Sequence, residues 1–406
     1  MPPMTDTGAR PQRLVRWLAI AAAGLLGACQ TIVPREVETA PPPAVTQAPP
    51  PVRPAPGVEP GIPRDEGRNR VALLVPLSGG NAGVGQSIAN ATMLALLDTQ
   101  NRSVRITNYD TAGGAAAAAN RAIAEGAQLI LGPLLAEDVR AVAPVARAAR
   151  VPVISFSNDS AVAGSGAYVM GYVPAQSIER VVDYARGRGI TSFAGLVPNG
   201  LYGERASTAF LRAVEGAGGQ VASLQTYGRT ASGAGGGAIT GAATRLAANA
   251  PYGAVLVADG GAAAAAAAAI IKRGSGAGTR LLGTELWNSE TSIGARPALA
   301  GAWYAAVSNG LYRQYAAKYR ARFGTAPYRL SSLGYDSVLL TVRIARDWRV
   351  GSPFPEARLR DGDGFSGIDG AFRFGRDGVA ERALEVQEVR AGGAAVVSPA
   401  PSGFGR

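Results

Sequence analysis

Apolar residues follow two alternating patterns along most of the chain, and together these patterns predict parallel strands separated by helices. The clearest example begins with the continuous apolar run Leu129–Leu131, which is typical of a buried strand. Val139, Val142 and Val145 then recur at three-residue steps, the spacing of one helix face. A second apolar run at 151–155 completes a strand–helix–strand unit. Such a unit joins two parallel neighbours through a right-handed crossover.

The same alternation occurs in both halves of the chain. Further strands are predicted at residues 71–76, 105–109, 192–197, 220–227, 254–257, 281–287 and 302–307. Helices are predicted at 86–98, 115–125, 175–187, 201–216, 239–248, 262–269, 312–323 and 331–348. Residues 364–374 and 383–390 predict a closing hairpin, followed by a loose tail. Two similar α/β units in series favour two lobes with a cleft between them over a solenoid.

The N-terminal segment 1–28 predicts an export signal. Basic residues between Arg10 and Arg16 precede an apolar run at 17–26, which is short for a membrane span, and small residues follow. The single cysteine, Cys29, comes directly after Leu-Gly-Ala and resembles the lipidation site of bacterial lipoproteins. The alternative is a plain signal peptide with an incidental cysteine. A lipid on Cys29 would attach the protein to a membrane.

The residues after Cys29 bear on where such an anchor would lie. Gln30 stands where enteric lipoproteins that stay in the inner membrane carry Asp, so the resemblance favours the outer membrane. Residues 29–68 are rich in Pro and Ala and predict a semi-rigid tether, with a docking segment as the alternative. Residues 396–406 are expected to form a flexible tail.

Composition excludes several functions. The formal net charge is +11, but the arginines are spread along the chain and no nucleic-acid motif accompanies them, so we expect no nucleic-acid partner. The chain has no His and one Cys, which removes the commonest general base, thiolate metal sites and a Cys–His nucleophile. No spacing favours a catalytic carboxylate or Ser–Lys pair. We therefore expect a non-catalytic protein without a cofactor or metal.

Six motifs occur in order within the α/β part. They are LLVPLSG at 73–79, YDTAGG at 109–114, ILGPLL at 130–135, APVARAARVPVISFSND at 143–159, GYDS at 334–337 and FSGIDGAFRFGRDG at 365–378. In this order they resemble the type 1 periplasmic-binding-protein superfamily, which includes the leucine-binding proteins. Together with the lipidation site, ILGPLL and VPVISFSND look most like the C-terminal module of penicillin-binding protein activators. Those activators are outer-membrane lipoproteins that stimulate peptidoglycan synthases.

The resemblance implies two Rossmann-like lobes joined by a three-strand hinge, with a ligand cleft between them. The chain is expected to cross between the lobes near 165–172, 283–290 and 360–366. Lobe 1 would comprise residues 69–168 and 287–363, and lobe 2 would comprise residues 169–286 and 364–395. Longer activators carry an N-terminal helical-repeat domain where this chain has only its Pro-rich tether.

Two functions follow from the resemblance. The first is a periplasmic lipoprotein that activates a peptidoglycan synthase by protein contact. The alternative is a solute receptor of an ABC transporter, with an amino acid or similar small ligand and an ABC permease as partners. Receptors of this kind commonly place an acid in lobe 2 for the ligand ammonium, but residues 260–269 are all Gly or Ala. This departure, together with Leu134 and Leu135 where receptors often have a hydroxyl, favours the activator.

The candidate cleft residues are polar groups and glycines near strand ends, together with two tyrosines and the acids nearest the expected lobe 2 position. They are Ser78, Gly79, Asn81, Asp110, Gly132, Ser155, Ser157, Asn158, Tyr172, Tyr202, Asp259 and Glu285. By the resemblance, the hydroxyls of Ser78, Ser155 and Ser157 would hold a ligand carboxylate. The alternative is that these groups cap helices, brace turns or pack in the interior.

Overall fold

The computed structural model describes residues 67–229, 236–290, 292–401 and 403–404. The strands are β1 (Asn69–Val75), β2 (Val104–Asp110), β3 (Leu129–Leu131), β4 (Val153–Ser155), β5 (Ala167–Val169), β6 (Ser192–Pro198), β7 (Gln220–Tyr227), β8 (Ala254–Val257), β9 (Arg280–Gly283), β10 (Trp303–Ala306), β11 (Phe365–Gly367), β12 (Gly370–Phe374), β13 (Ala380–Arg382), β14 (Glu385–Arg390) and β15 (Gly393–Ser398). The helices are α1 (Ala82–Thr99), α2 (Ala115–Ala124), α3 (Ala136–Ala148), α4 (Pro174–Gly187), α5 (Leu201–Gly216), α6 (Gly236–Ala247), α7 (Gly261–Ile271), α8 (Gly310–Phe323) and α9 (Ser331–Ile344). The expected export signal, Cys29 and nearly all of the tether lie outside the described residues. None of the helices in the described ranges is both long and apolar enough to cross a membrane.

Lobe 1 is built on a parallel sheet of five strands in the order β2-β1-β3-β4-β5. Side chains along β1 alternate between its two faces, as the pleat requires. Leu73 packs into a core with α1, α8 and α9, whereas Leu74 packs into a separate core with α2 and α3. Helix α9 lies so close to α1 that a Cβ on Gly334 would stand 2.8 Å from the carbonyl oxygen of Ile88. Helices therefore cover both faces of the sheet.

Lobe 2 is built on a seven-stranded sheet in the order β15-β14-β10-β9-β8-β6-β7. Strands β6 to β10 run parallel, while β14 is antiparallel to both β10 and β15. Helices α4 and α5 pack on one face through Ile178, Val182 and Phe210. Helices α6 and α7 pack on the other face, where Ile271 and Trp287 are fully buried. Both lobes are therefore helix–sheet–helix layers, as the sequence predicted.

The chain passes between the two sheets at three places. These lie between β5 and α4, between β10 and α8, and between β13 and β14. The first passage, between Val169 and Pro174, overlaps the crossing expected near 165–172, but the crossings expected at 283–290 and 360–366 are wrong. The lobe boundaries at 287 and 363 are wrong for the same reason. β10 pairs in parallel with β9 and so extends the lobe 2 sheet, while β11 to β13 pack on the lobe 1 core.

The C-terminal segment departs from the predicted hairpin and loose tail. β11, β12 and β13 form a separate antiparallel sheet, and β14 pairs with β10 rather than with β12. Residues 393–398 form β15, an edge strand paired with β14, within the expected loose tail. Period-2 alternation shows that a segment has a buried face, but it does not say against which core that face lies. Phe372 lies in the lobe 1 core, whereas Val386 lies in the lobe 2 core.

The segment predicted as one strand at 281–287 divides into two elements. β9 ends at Gly283, and Glu285–Ser289 forms a 3₁₀ turn. Trp287 turns back over β9 so closely that a Cβ on Gly283 would lie 2.3 Å from its ring. The indole N–H of Trp287 donates to the carbonyl oxygen of Asp259 at 2.8 Å. The turn therefore places Glu285 at the carboxyl end of β9.

Candidate functional site

A cavity of about 470 Å³ lies between the carboxyl ends of the strands of the two lobes. Its lining is largely apolar, with a small number of polar and charged side chains. The lining residues are Asn81, Val84, Leu134, Leu135, Phe156, Asn158, Tyr172, Val173, Gln176, Ser177, Glu285, Leu286, Asn288, Ser289, Ala306, Val307, Tyr328, Arg329, Leu330, Arg382 and Leu384. This volume and this balance of apolar and polar groups are typical of sites for small organic ligands.

Arg329 stands in lobe 1, just before α9, and is almost completely buried. Its guanidinium forms an ion pair of 2.8 Å with Asp369, whose side chain is fully buried. The same group donates to the Ser332 hydroxyl at 2.8 Å. It also stacks over the ring of Tyr312, 4.0 Å from the ring centroid. Packing and the ion pair together hold this arginine at the cavity wall.

A second buried carboxyl group lies behind that ion pair. Asp336, on α9, accepts hydrogen bonds from the backbone N–H groups of Ile368 at 2.7 Å and Asp369 at 3.3 Å. Burial, and secondarily the charge of Asp369, raises the pKa of Asp336 to about 8. Asp336 is therefore mostly protonated at neutral pH. Asp369 is the carboxylate that forms the ion pair with Arg329.

Arg382 ends β13 and is 8% exposed. Its guanidinium lies between the rings of Tyr172 and Phe372, 5.0 and 5.3 Å from the two centroids, and donates to the carbonyl oxygen of Met170. In the described part of the chain no carboxylate lies within 4.0 Å of this arginine. Nε and Nη1 of Arg382, and Nε and Nη2 of Arg329, are buried without a hydrogen-bond partner among the described residues.

The lobe 2 side of the cavity carries Glu285. Its carboxylate accepts hydrogen bonds from the hydroxyl of Ser177 at 2.6 Å and from that of Tyr202 at 3.0 Å. Its position deep in the cleft raises the pKa of the carboxyl group, and the hydrogen bonds from these hydroxyls oppose that rise. No arginine or lysine of the described chain forms an ion pair with Glu285. The cavity thus holds acceptor oxygens on one side and cations on the other.

Four of the residues expected in the cleft line this cavity: Asn81, Asn158, Tyr172 and Glu285. Tyr202 stands behind Glu285 and supports it without lining the cavity. Asp259 also lies outside the lining. It accepts a 2.6 Å hydrogen bond from Tyr227 and forms an ion pair of 2.5 Å with Arg229.

Ser78 and Gly79 lie in the loop after β1, which Asp110 at the end of β2 braces, and none of the three lines the cavity. The Ser78 hydroxyl donates to one carboxylate oxygen of Asp110 at 2.6 Å, and the Leu77 N–H donates to the other at 2.8 Å. The bond from Ser78, followed by backbone N–H groups, lowers the pKa of Asp110. Gly79 takes a positive φ of 74° in this turn. The structure matches the alternative interpretation of these residues as a turn.

Gly132, Ser155 and Ser157 are buried at the ends of β3 and β4, outside the cavity lining. The Ser155 hydroxyl donates to the Pro133 carbonyl at 3.1 Å and accepts the N–H of Ser157 at 3.0 Å. The Ser157 hydroxyl in turn accepts the N–H of Asp159 at 3.1 Å. Gly132 has a positive φ of 86°, and a Cβ there would lie 2.1 Å from the Leu74 carbonyl oxygen. The hydroxyls of Ser155 and Ser157 therefore support the loops after β3 and β4, outside the cavity lining.

Further polar residues line the cavity and were not predicted from the sequence, among them Arg329, Arg382, Gln176 and Ser177. One weak signal was available for Arg382. In the short strand β13, Ala380 and Arg382 are buried while Glu381 between them is exposed, an alternation that turns the arginine inward. Nothing in the local pattern distinguished Arg329 from the other arginines. Within the described residues, no group of three or more His, Cys, Asp or Glu side chains is placed to hold a metal ion.

Comparison with known families decides the classification. The model of a family described as "Periplasmic binding protein" matches residues 69–394. The chain belongs to this family. The match spans both lobes and all three passages between them, so the fold and the family agree. The matched residues also include every residue that lines the cavity.

Solved structures of several binding proteins share the fold of this periplasmic binding protein. A leucine binding protein from Thermotoga maritima is 18% identical, with a TM-score of 0.61 over 82% of this chain and 99% of its own. A branched chain amino acid ABC transporter periplasmic ligand-binding protein from Burkholderia xenovorans is 16% identical, with a TM-score of 0.64 over 82% of this chain and 95% of its own. A solute binding protein from R. palustris in complex with benzoate is 18% identical, with a TM-score of 0.61 over 84% and 99%.

One curated relative is an uncharacterized protein of Rickettsia prowazekii (strain Madrid E). It is 28% identical over 139 residues, which are 34% of this chain. The match spans 37% of the length of that relative. This similarity therefore concerns only part of each protein.

Proposed function

We propose that this periplasmic binding protein is a non-catalytic receptor that binds a small organic solute between its two lobes. The observation that carries the proposal is the cavity itself, about 470 Å³ in volume and lined by residues from both sheets. Apolar groups such as Phe156, Leu286 and Val307 would remove the body of the ligand from water. The polar groups on its wall would set the orientation.

Ligand contacts with both lobes imply that binding favours a closed arrangement. The chain passes between the sheets three times, a connection that permits hinge closure in proteins of this kind. At the rim, Asp159 of lobe 1 forms an ion pair of 3.1 Å with Arg205 on α5 of lobe 2. A ligand shifts the population of the closed form only as far as it binds that form better than the open one.

The proposed location is the periplasm, with attachment to a membrane through a lipid on Cys29. The basic residues, the apolar run and the cysteine after Leu-Gly-Ala support this location, and Gln30 favours the outer membrane. The Pro-rich segment 29–68 would then separate the binding lobes from the membrane surface. An ABC permease would receive the solute if the function is transport.

A second candidate is activation of a peptidoglycan synthase by protein contact, as the ILGPLL and VPVISFSND motifs suggest by resemblance. One observation favours it. Leu134 and Leu135 line the cavity at the end of β3, where amino-acid receptors of this superfamily often present a hydroxyl. The position of Glu285 in the cavity weighs the other way, because it supplies the lobe 2 acid that the 260–269 stretch lacks.

The two candidates differ in what stabilises the protein. Thermal unfolding of the purified, processed protein should be measured with leucine, isoleucine, aliphatic and aromatic acids, and muropeptides. A ligand at 100 times its dissociation constant adds about 2.7 kcal/mol of stability. A clear shift with a small molecule supports the receptor. No shift across the panel, combined with retention of a peptidoglycan synthase on the immobilised protein, would contradict it and favour the activator.

A further inference from the structure

The charges that line the cavity are separated into two groups. In the described part of the chain its cationic lining residues are Arg329 and Arg382, both beside Tyr172 in lobe 1. Its acidic lining residue is Glu285, which two hydroxyl groups hold in lobe 2. The arginines are therefore not balanced by the acid that shares the cavity with them.

The charge balance around the arginines leaves one positive charge. Arg329 is paired with Asp369, and the neighbouring carboxyl of Asp336 is mostly protonated at neutral pH. Arg382 has aromatic rings on both sides and a backbone carbonyl as its acceptor, but no carboxylate in ion-pair contact among the described residues. Burying a cation without a counter-ion costs free energy, and an anion that binds beside it offsets that cost.

The hydrogen bonds lead to the same conclusion independently of the charges. Two nitrogens of each guanidinium are closed to water and lack a protein acceptor within the described residues. Arginine donors in this state are rare, since buried polar groups are nearly always hydrogen-bonded. The planar guanidinium matches a carboxylate, which accepts two parallel hydrogen bonds. Both arginines line the cavity, and a ligand carboxylate would reach these N–H groups once the side chains turn toward it.

We propose that the solute is an apolar carboxylic acid, with its carboxylate held by Arg382 and Arg329 and its apolar body against Phe156 and Leu286. This inference rests on the proposed function, because it names the ligand class of the same cavity. It places the anion beside the passage between β13 and β14, away from Ser78, Ser155 and Ser157. Those hydroxyls already have partners inside the protein. A monoanion fits the single uncompensated charge better than a phosphate dianion does.

Matched ligands test the proposal on the unaltered protein. Calorimetric titration should compare 4-methylpentanoate and benzoate with their neutral amides and with phenylphosphonate. We expect each acid to bind at least tenfold more tightly than its amide and more tightly than the phosphonate. Equal binding of acid and amide, or preferred binding of the phosphonate, would overturn this inference while leaving the receptor function intact. Failure of every probe in the wider panel would contradict the receptor function and this inference together.

Variants of Arg382 test where the carboxylate of the ligand binds. Arg382→Gln should remove the preference for acid over amide while amide binding persists, and Arg382→Lys should restore part of that preference by charge alone. Arg320→Gln changes an exposed arginine on α8 and should leave the preference unchanged. Circular dichroism and thermal unfolding show whether each variant is folded. If Arg382→Gln does not fold, the acid-to-amide ratio of the unaltered protein remains the deciding measurement. An unchanged preference in folded Arg382→Gln would overturn the assignment.

Discussion

Two groups of polar residues in lobe 1 illustrate different uses of hydrogen-bonding side chains. At the carboxyl ends of β1 and β4, the hydroxyls of Ser78, Ser155 and Ser157 each have a partner within the protein. Beside the passage to lobe 2, Arg329 and Arg382 each keep two buried nitrogens without a partner among the described residues. The first group braces loops, and the second belongs to the cavity wall.

This contrast shows which kind of polar residue marks a ligand site. A short polar side chain at a strand end can close a turn onto itself, and the protein then gains nothing from a ligand there. The two arginines, although packing holds them, each leave two nitrogens without an acceptor among the described residues. Unmet hydrogen-bonding capacity beside a cavity is therefore a better indicator of binding than polarity at a strand end.

The largest expected effect concerns the ion pair beneath the cavity. Asp369→Asn removes the carboxylate that balances Arg329, and breaking a buried pair on one side typically costs about 3–5 kcal/mol. The control is Asp347→Asn, which breaks an exposed 3.0 Å pair with Arg358 and should cost less than about 1 kcal/mol. Chemical denaturation measures both. Equal losses would show that the buried pair has no special role.

The pH dependence of stability tests the carboxyl of Asp336. Its pKa is raised in the folded protein to about 8 from an ordinary 3.8, so the unfolded state loses its proton first. The free energy of unfolding contributed by this group is complete below pH 3.8 and is lost as the pH rises toward about 8. Asp336→Asn cannot titrate and should lack this decline.

Denaturation curves from pH 4 to 9 for both proteins give the difference directly. The chain contains no histidine, so histidine titration does not obscure the region between pH 6 and 8. Asp369 and Arg382 are the charged groups that act on Asp336, and both are present in the variant. Parallel curves for the two proteins would show that Asp336 is ionised throughout.

A smaller effect distinguishes a serine at a strand end from a serine in the cavity. Ser155→Ala removes a buried hydroxyl that bonds Pro133 and Ser157, and should cost about 1 kcal/mol of stability without changing ligand affinity. Ser177→Ala removes the hydroxyl that donates to Glu285 at the cavity wall, and it should change the affinity of the protein for its ligand. If Ser155→Ala lost affinity for the ligand and Ser177→Ala did not, the serine at the strand end would be the one that contributes to binding.

The smallest expected effect lies at the rim of the cleft. Arg140 and Arg205 both pair with the buried carboxylate of Asp159, but only Arg205 comes from lobe 2. Arg205→Gln should weaken ligand binding by up to about fivefold, because a half-exposed ion pair contributes up to about 1 kcal/mol to closure. Arg140→Gln removes the pair within lobe 1 and should not weaken binding. Calorimetric titration of both variants with the same ligand measures this difference in affinity.

Much of the fold was predictable because burial leaves a local trace in the sequence. The runs at β1 and β3 and the helix face of Val139 and Val142 reflect packing within a few residues. The site was less predictable. Asn158 and Glu285 follow strands and were expected, whereas Arg382 depends on contact with Met170, 212 residues away. No window of the sequence contains both partners.

The sequence by itself determined the alternation of strands and helices and its repetition in two halves, since period and apolar content are properties of short segments. Only the tertiary structure decided that β10 and β14 join the lobe 2 sheet and that β11 to β13 stay with lobe 1. It also decided which polar groups found partners. Strand pairing and hydrogen-bond satisfaction depend on groups far apart in the chain, and these meet only when the lobes have formed.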